Sequence, residues 1–288
     1  MTRSSKTIAI MLPSYYEQMI GGAEYQAYVL AKEAKQRGHE VHYLFTSPQR
    51  DYDNPLAIYL HPIKRLKIRR RFGSTAFLYR KRLLRVLGEI EPDVVYCRSD
   101  TSWVGIAALY AKRHEGCKSI LHIPSPKTVV RRPLYTLWRR PFDIVEECWM
   151  RYGVRNVTTI VAQANYQASL LQDNYYRSSH TIPNMQPVPT ERIVTSNPPK
   201  VVWVANVKPT KRPELFLRLA RALQKTGSNA RLIMVGKASG KSRYSRGIRE
   251  QIARCSNLEF LGEQPIGKVN RLLAQSHVFV STYLPEGF

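Results

Sequence analysis

Residues 7–45 read TIAIMLPSYYEQMIGGAEYQAYVLAKEAKQRGHEVHYLF, two short apolar runs separated by a glycine-containing loop and a helical stretch. The run Thr7–Leu12 is predicted to be a strand, and the apolar spacing of Ala23–Arg37 is typical of a helix. Gly38 stands where a helix commonly ends, and Val41–Phe45 is predicted to be the second strand. A strand, a helix and a strand in this order indicate an α/β protein with a parallel sheet.

The same alternation continues along the rest of the chain. Further strands are predicted at Asp93–Cys97, Ser119–Ile123, Thr159–Ala162, Lys200–Ala205, Arg231–Val235, Leu258–Leu261 and Val278–Ser281. Helices of the second half are predicted at Pro213–Thr226, Tyr244–Ala253 and Ile266–Gln275.

The domain organisation follows from the length and from one proline-rich stretch. A chain of 288 residues exceeds one average domain, and residues 186–199 lack apolar periodicity, so they are predicted to be a linker. We therefore predict two Rossmann-like lobes with doubly wound parallel sheets, at residues 1–185 and 200–288. Because the chain stops soon after a predicted strand, the second lobe is expected to be incomplete.

The chain is strongly basic. It has 45 lysines and arginines against 21 aspartates and glutamates, which gives a formal charge of +24 at pH 7. A field of this sign attracts nucleic acid, anionic lipid and phosphorylated small molecules, and the net charge alone does not choose among them. A hydrophobic fraction of 43% permits real cores and excludes a disordered chain.

The cysteines and the apolar runs bear on the compartment. The four cysteines lie far apart and form no C-x-x-C pair, so neither a metal site nor a disulfide framework is predicted: Cys97, Cys117, Cys148 and Cys255. No stretch approaches the ~20 apolar residues that a membrane-spanning helix needs. A cytoplasmic protein is expected, with the option of a peripheral position at the inner face of the membrane.

Residues 54–88 contain no acid and ten bases, which are Lys64, Arg65, Lys67, Arg69, Arg70, Arg71, Arg80, Lys81, Arg82 and Arg85. Apolar residues interleave with these bases, and the window Lys64–Arg85 fits an amphipathic helix that lies on anionic lipid. Two other interpretations remain open. The helix could present an ordinary solvated face above a core stripe. It could also contact nucleic acid, although no recognised nucleic-acid module accompanies the charge.

Two glycines are the first candidates for ligand binding. Gly21 and Gly22 precede the first helix, where free N–H groups and the helix dipole favour phosphate, although a flexible turn is an equal interpretation.

Two other motifs are similar to known binding sites. Gly236–Ser242 is similar to a P-loop but has three residues between its glycines instead of four. Asp51 and Asp53 are interpreted as solvated turn acids and not as metal ligands.

Several segments together resemble glycosyltransferase family 4, in the family's order and approximate spacing. They are PSYYEQMIGGAEYQAYVLAKEAKQRGHEV at 13–41, PDVVYCRSD at 92–100, IPN at 182–184, VVWVANVKPTKRPELFLRLARAL at 201–223, RLIMVG at 231–236, NLEFLG at 257–262 and STYLPEGF at 281–288. The resemblance covers nearly the whole chain. It implies the GT-B fold, with a nucleotide-sugar donor held between an acceptor-side lobe and a nucleotide-binding lobe.

The resemblance also implies roles for residues of the second lobe. Lys211 matches the lysine that neutralises the donor diphosphate, whereas Asn206 replaces a family arginine and so removes one charge. Lys208 is a candidate to compensate for that loss. Gly236 matches a glycine over which the nucleotide base lies.

Further implied roles fall near the end of the chain and in the first lobe. Glu286 matches the first glutamate of the family's E-x7-E motif, which binds hydroxyls of the donor sugar, and the backbone of Gly287 and Phe288 would approach that sugar. The second glutamate would fall beyond Phe288. His122 lies near an active-site histidine of many relatives, and it is interpreted either as a ligand or general base or as a buried structural histidine.

The expected function is that of a hexosyltransferase of polysaccharide biosynthesis. It would move a hexosyl unit from a nucleotide diphosphate sugar to a glycan or lipid-linked acceptor, with retention of configuration, no metal and no cofactor. A fixed lysine and helix N–H groups stabilise the charge that develops on the departing phosphate. The alternative is an inactive fragment or a non-catalytic protein that binds polyanions or an anionic membrane.

Overall fold

The computed structural model describes residues 5–16, 21–47, 52–66, 73–138, 140–185, 197–238 and 243–283. Contacts between Cα atoms divide the chain into two compact units, with the boundary after Met185. They are called the first unit and the second unit below.

The first unit is built on a parallel sheet that has seven strands in the described residues. The strand order is β3-β2-β1-β4-β5-β6-β7. The strands are β1 (Thr7–Met11), β2 (Glu40–Ser47), β3 (Tyr59–Lys64), β4 (Val94–Cys97), β5 (Lys118–His122), β6 (Thr159–Ala162) and β7 (His180–Thr181). The helices are α1 (Gly22–Gln36), α2 (Arg80–Ile90), α3 (Trp103–Arg113), α4 (Pro141–Asn156) and α5 (Asn165–Tyr175).

Helix α1 ends as the sequence predicts. Gly38 has φ +81°, a conformation that costs little without a Cβ. Its N–H donates to the carbonyl of Lys35 at 3.0 Å, and the N–H of His39 donates to the carbonyl of Ala34 at 3.1 Å. This pair of bonds satisfies carbonyls that the last turn leaves open, so the predicted helix end at Gly38 is confirmed.

The expectation of one amphipathic helix over Lys64–Arg85 is wrong for the described part of that window. Lys64 is the last residue of edge strand β3, which sequence reasoning missed because Pro62 interrupts it and its exposed residues hide its pattern. A 3₁₀ turn at Ala76–Tyr79 leads into α2, which begins only at Arg80. The apolar stripe of α2 is correspondingly shorter, with Leu83 and Leu87 buried.

Helices α3 and α4 approach each other very closely. A Cβ added to Gly153 of α4 would collide with the backbone of Val104 and Gly105, and one added to Gly105 of α3 would collide with the backbone of Trp149. Only glycine permits backbones to come so near. This contact fixes the position of α4, which carries the buried acids Asp143 and Glu147 described below.

The second unit repeats the design on a smaller scale. Its parallel sheet has four strands in the part of the chain described, in the order β10-β9-β8-β11. The strands are β8 (Lys200–Val204), β9 (Arg231–Val235), β10 (Leu258–Gly262) and β11 (Val278–Phe279). The helices are α6 (Pro213–Lys225), α7 (Arg243–Ala253) and α8 (Ile266–Ala274).

The core of the second unit forms between β8 and α6. Trp203 and Phe216 are buried with their rings stacked, and their centroids lie 6.3 Å apart. Pro213 opens α6 in the first turn, where its missing N–H has no consequence. The predicted α/β class with doubly wound parallel sheets is confirmed. Among the helices that the structure describes, none is long and apolar enough to cross a lipid bilayer.

Candidate active site

The strand order of the first unit identifies where a ligand would bind. Strand β2 lies on one side of β1 and β4 on the other, so successive crossovers run in opposite directions from this point. Ligands of doubly wound sheets bind beyond the carboxyl ends of the strands at such a switch point. Arg98 directly follows β4, and His122 is the last residue of neighbouring strand β5.

Arg98 is almost completely buried, with 2% of its surface exposed. Its Nη1 lies 2.9 Å from His122 Nδ1, and its Nη2 donates to Asn184 Oδ1 at 2.7 Å. No ion pair of the described residues includes this guanidinium, and its Nε–H finds no acceptor among them. A buried charge with an unused donor favours an acceptor group from a ligand.

The contacts of His122 determine its protonation. Arg98 can only donate, so Nδ1 of His122 must accept, and the hydroxyl of Tyr96 lies 2.7 Å from the same nitrogen. The single proton of the neutral ring therefore sits on Nε2, which is buried and has no partner in the described part of the chain. Burial, and then the charge of Arg98, lower the pKa of His122 to about 3. His122 is thus a neutral hydrogen-bond donor near pH 7.

The end of the first unit is tied to the same cluster. Asn184 donates through Nδ2 to Gln163 Oε1 at 3.0 Å, and the Gln163 amide donates to the carbonyl of Ile123. Gln26 of α1 exchanges two hydrogen bonds with the backbone of Met185, at 2.6 and 2.7 Å. These amides hold the segment that carries Asn184 against the strand ends. We call Tyr96, Arg98, His122, Gln163 and Asn184 the first-unit cluster.

The glycine pair before α1 is accompanied by a carboxylate. Glu24 lies in the first turn of α1, and a Cβ on Gly21 would collide with its Oε2. The carboxylate also accepts a hydrogen bond from its own backbone N–H, and the charge of Arg98 acts on it. Burial outweighs both effects and raises the pKa of Glu24. The N-terminus of α1 therefore already has an acidic side chain of its own.

A cavity of about 650 Å³ lies in the first unit, beyond the carboxyl ends of its strands. Its lining residues come from the ends of β1, β2 and β3 and from the starts of α3 and α4, and they include Pro13, Ser14, Thr46, Arg65, Ser74, Thr101, Arg140 and Asp143. Arg140 Nε lies 3.3 Å from Asp143 Oδ2, and the N–H of Ser74 donates to Asp143 Oδ1 at 2.7 Å. The cavity has a mixed polar and apolar lining and is large enough for a sugar-sized group.

In the second unit the switch point lies between β8 and β11. Lys211 sits there, in the 3₁₀ turn that precedes α6. Its carbonyl accepts a hydrogen bond from the hydroxyl of Thr282, whose oxygen in turn accepts from Trp203 Nε1 at 2.9 Å. The Lys211 ammonium lies 3.8 Å from the centroid of the Tyr283 ring, a cation–π contact. A lysine is therefore fixed at the point where this sheet is expected to bind a ligand.

Three other predicted donor residues surround that turn. Gly236 follows β9 with φ +145°, and a Cβ there would collide with the carbonyl oxygen of Ala205. Asn206 Oδ1 accepts from the N–H of Lys237 at 3.2 Å, so its side chain shapes the loop and adds no charge. Lys208 is exposed, and its carbonyl accepts from the N–H of Lys211 at 2.9 Å. The structure thus brings Asn206, Lys208, Lys211 and Gly236 to one end of the sheet.

Some predicted residues lie outside the described ones. These are Glu286, Gly287 and Phe288, the bases Lys67, Arg69, Arg70 and Arg71, Asp51, and the last four residues of Gly236–Ser242. Their roles stay predictions. Across the ranges that are described, no group of three or more His, Cys, Asp or Glu residues could hold a metal ion.

Sequence reasoning missed most of the first-unit cluster. Arg98 stands directly after a buried strand in PDVVYCRSD, and that position was a usable signal. Gln163 and Tyr96 gave no comparable signal, because their contacts join distant parts of the chain. Thr282, which holds the backbone of Lys211, is 71 residues away in sequence and could not be paired with it.

Comparison with protein families decides the identity of the chain. The model of Glycosyltransferase Family 4 matches residues 20–192, and that of Glycosyl transferases group 1 matches residues 190–288. The chain belongs to glycosyltransferase family 4. This family 4 enzyme transfers a sugar from a nucleotide-sugar donor, and the resemblance inferred from the sequence is confirmed. Curated protein sequences offer no match to it.

Solved structures agree on the fold of this family 4 enzyme. A glycosyltransferase from Rickettsia africae ESF-5 is 18% identical, with TM-score 0.64 over 97% of this chain and 73% of that one. WaaG, a glycosyltransferase of lipopolysaccharide biosynthesis, is 17% identical, with TM-score 0.67 over 97% and 76%. The catalytic domain of starch synthase IV from Arabidopsis thaliana, bound to ADP and acarbose, is 12% identical, with TM-score 0.67 over 99% and 79%.

Proposed function

We propose that this enzyme moves a hexosyl unit from a nucleotide diphosphate sugar to a hydroxyl of a glycan or lipid-linked acceptor, without a metal ion and with retention. The observation that carries the proposal is the position of Lys211 at the switch point of the second sheet, with its backbone held by Thr282. Residues 1–185 would act as the acceptor-side domain, 186–199 as the linker and 200–288 as the nucleotide-sugar domain.

The proposed chemistry follows from the charges at this point. The bond between the anomeric carbon and the diphosphate breaks, and negative charge develops on the departing phosphate oxygen. The Lys211 ammonium and the first turn of α6 stabilise that charge. The acceptor oxygen attacks from the side of the leaving group, and its proton passes to the departing phosphate. No pair of carboxylates is then required.

His122 contributes as a donor in this scheme. Its Nδ1 is engaged by Arg98 and Tyr96, so it cannot take the acceptor proton there. Its Nε2–H can donate to a sugar hydroxyl. Glu286, Gly287, Phe288, Gly21 and Gly22 keep the donor-binding roles that the family pattern implies.

A calorimetric titration with nucleotide diphosphates tests the proposal. Saturable binding of UDP or ADP by the intact chain is expected, and Lys211→Ala should weaken it about tenfold or more, because it removes a charge-assisted contact. Lys225→Ala, which alters an exposed lysine at the end of α6, is the matched control and should bind normally. Equal affinity of the two variants would refute the role of Lys211.

Activity measurements separate the remaining alternatives. Sugar transfer that persists in a metal chelator supports metal independence. Hydrolysis of ATP would instead favour the P-loop interpretation of Gly236–Ser242, and binding of heparin without nucleotide specificity would favour a non-catalytic polyanion-binding protein. WaaG acts in lipopolysaccharide biosynthesis, which supports a cell-envelope glycan as the first acceptor to test.

The basic residues of the first unit are proposed to contact an anionic membrane at the inner, cytoplasmic face. Lys64, Arg65, Arg80, Lys81, Arg82 and Arg85 are all exposed. Arg82 Nη1 donates to the carbonyl of Lys64 at 3.1 Å, so the end of β3 and the start of α2 form one surface. Co-sedimentation with liposomes tests this role. Equal binding to neutral and anionic vesicles, or none, would contradict it.

A further inference from the structure

A second surface of the first unit exposes large apolar side chains. Residues 130–138, called the aromatic segment, connect the strand β5 region to helix α4. Tyr135 is 79% exposed and Trp138 68% exposed, and Val130 and Leu134 are exposed beside them. Soluble proteins expose single apolar residues routinely, but several large ones in one short segment mark a binding surface.

The sequence around the aromatic segment is basic. Residues 123–142 contain no acid and five bases, which are Lys127, Arg131, Arg132, Arg139 and Arg140. Arg131, Arg132 and Arg140 are exposed in the structure. An exposed aromatic pair flanked by arginines matches the surface of an anionic bilayer, where tryptophan and tyrosine lie at the level of the headgroups.

The aromatic segment is firmly anchored at its base. The Glu147 side chain on α4 is 2% exposed and lies between two arginines, with Oε2 2.9 Å from Arg132 Nε and Oε1 2.9 Å from Arg151 Nε. Oε1 also accepts from the N–H of Arg132 at 3.2 Å, and Arg151 donates to the Arg132 carbonyl. Anchored in this way, Tyr135 and Trp138 are presented outward with little conformational entropy left to lose.

We propose that the aromatic segment inserts Tyr135 and Trp138 into the headgroup region of an anionic bilayer. Lys127 and Arg131, which are exposed and form no ion pair among the described residues, contact the lipid phosphates while their aliphatic stems cover apolar surface. This membrane contact does not depend on catalysis. If the proposed function holds, the contact also indicates how a lipid-linked acceptor would reach the enzyme. Arg140 lines the first-unit cavity, which would then open beside the bilayer.

Vesicle binding by the intact chain tests the proposal. Phosphatidylcholine vesicles that contain phosphatidylglycerol should bind the protein. The double variant Tyr135→Ser, Trp138→Ser should bind them about tenfold more weakly, because two aromatic rings no longer enter the headgroup region. Tyr176→Ser alters an equally exposed tyrosine after α5 and is the matched control, with unchanged binding expected. Circular dichroism establishes that each variant is folded.

Fluorescence quenching identifies the inserted residue. Brominated lipids should quench the tryptophan emission of the bound protein, and Trp138→Phe should bind normally while losing that quenched component. Unchanged vesicle binding by the double variant, or an absence of quenching, overturns the proposal. A dimer that the double variant abolishes, with no vesicle binding, also overturns it in favour of a second copy as occupant. Nucleotide titration without vesicles reports on the proposed function independently of these results.

Discussion

The buried, neutral state of His122 makes the stability of the first unit depend on pH in a calculable way. In the folded chain the pKa of His122 falls from its ordinary value of 6.5 to about 3, through burial and then the charge of Arg98. As the pH falls below 6.5, the unfolded chain takes up a proton on this ring while the folded chain does not. The contribution is therefore fully present above the unfolded pKa and is lost progressively between 6.5 and about 3.

The size of the loss can be estimated. At about pH 5 the unfolded histidine is almost fully protonated, and linkage gives a loss of about 2 kcal/mol relative to neutral pH. Any folded pKa well below that pH gives the same figure. His122→Asn leaves an acceptor oxygen for Arg98 and Tyr96 but does not titrate, so the variant should not show this loss.

Urea unfolding of the wild type and of His122→Asn near pH 7 and near pH 5 provides the measurement. The variant is expected to be less stable near pH 7, and that deficit should shrink by about 2 kcal/mol near pH 5. His180→Asn, at an exposed position in β7, is the control for the substitution itself. A constant deficit for His122→Asn would refute the assignment of a neutral imidazole.

Two further predictions concern close backbone contacts. Gly236→Ala should destabilise the second unit by about 2 kcal/mol, because φ of +145° and the Ala205 carbonyl both oppose a Cβ. The control is Gly247→Ala in α7, where a Cβ meets open space, and this variant should be neutral or stabilising. Equal urea unfolding midpoints for the two variants would contradict the prediction. Gly153→Ala should lower the free energy of unfolding by about 1–3 kcal/mol, because the added methyl group forces α3 and α4 apart. The control Gly88→Ala in α2, where a Cβ meets open space, should not destabilise the protein. If both variants keep the wild-type midpoint in thermal unfolding, the two helices can accommodate a Cβ at this contact and the prediction is wrong.

The sequence predicts most of the fold because buried parallel strands are continuous apolar runs. Strands β6 and β9 match their predicted bounds, and helix α6 differs by one residue. The failures have local causes. Strand β3 lies at a sheet edge and contains Pro62, so it lacks the composition of a central strand. Phe77 and Leu78 belong to a 3₁₀ turn, where helical spacing is misleading.

The candidate site is predictable only in part. His122 and Lys211 could be found because the sequence around each of them resembles the family's motifs. The protonation of His122 could not, since it depends on Arg98 and Tyr96, which chain topology brings next to it. The aromatic segment was passed over for a similar reason, because apolar residues reveal exposure only once the fold around them is known.

The carboxylate of Glu24 adds a hydrogen-bond acceptor to the start of α1, where a helix otherwise offers only donors. It lies close enough to Arg98 for the guanidinium charge to act on it. A sugar hydroxyl could donate to this carboxylate, while the free N–H groups of the helix start remain for an acceptor oxygen. We therefore expect the first unit to discriminate among neutral sugars by the direction of their hydroxyls.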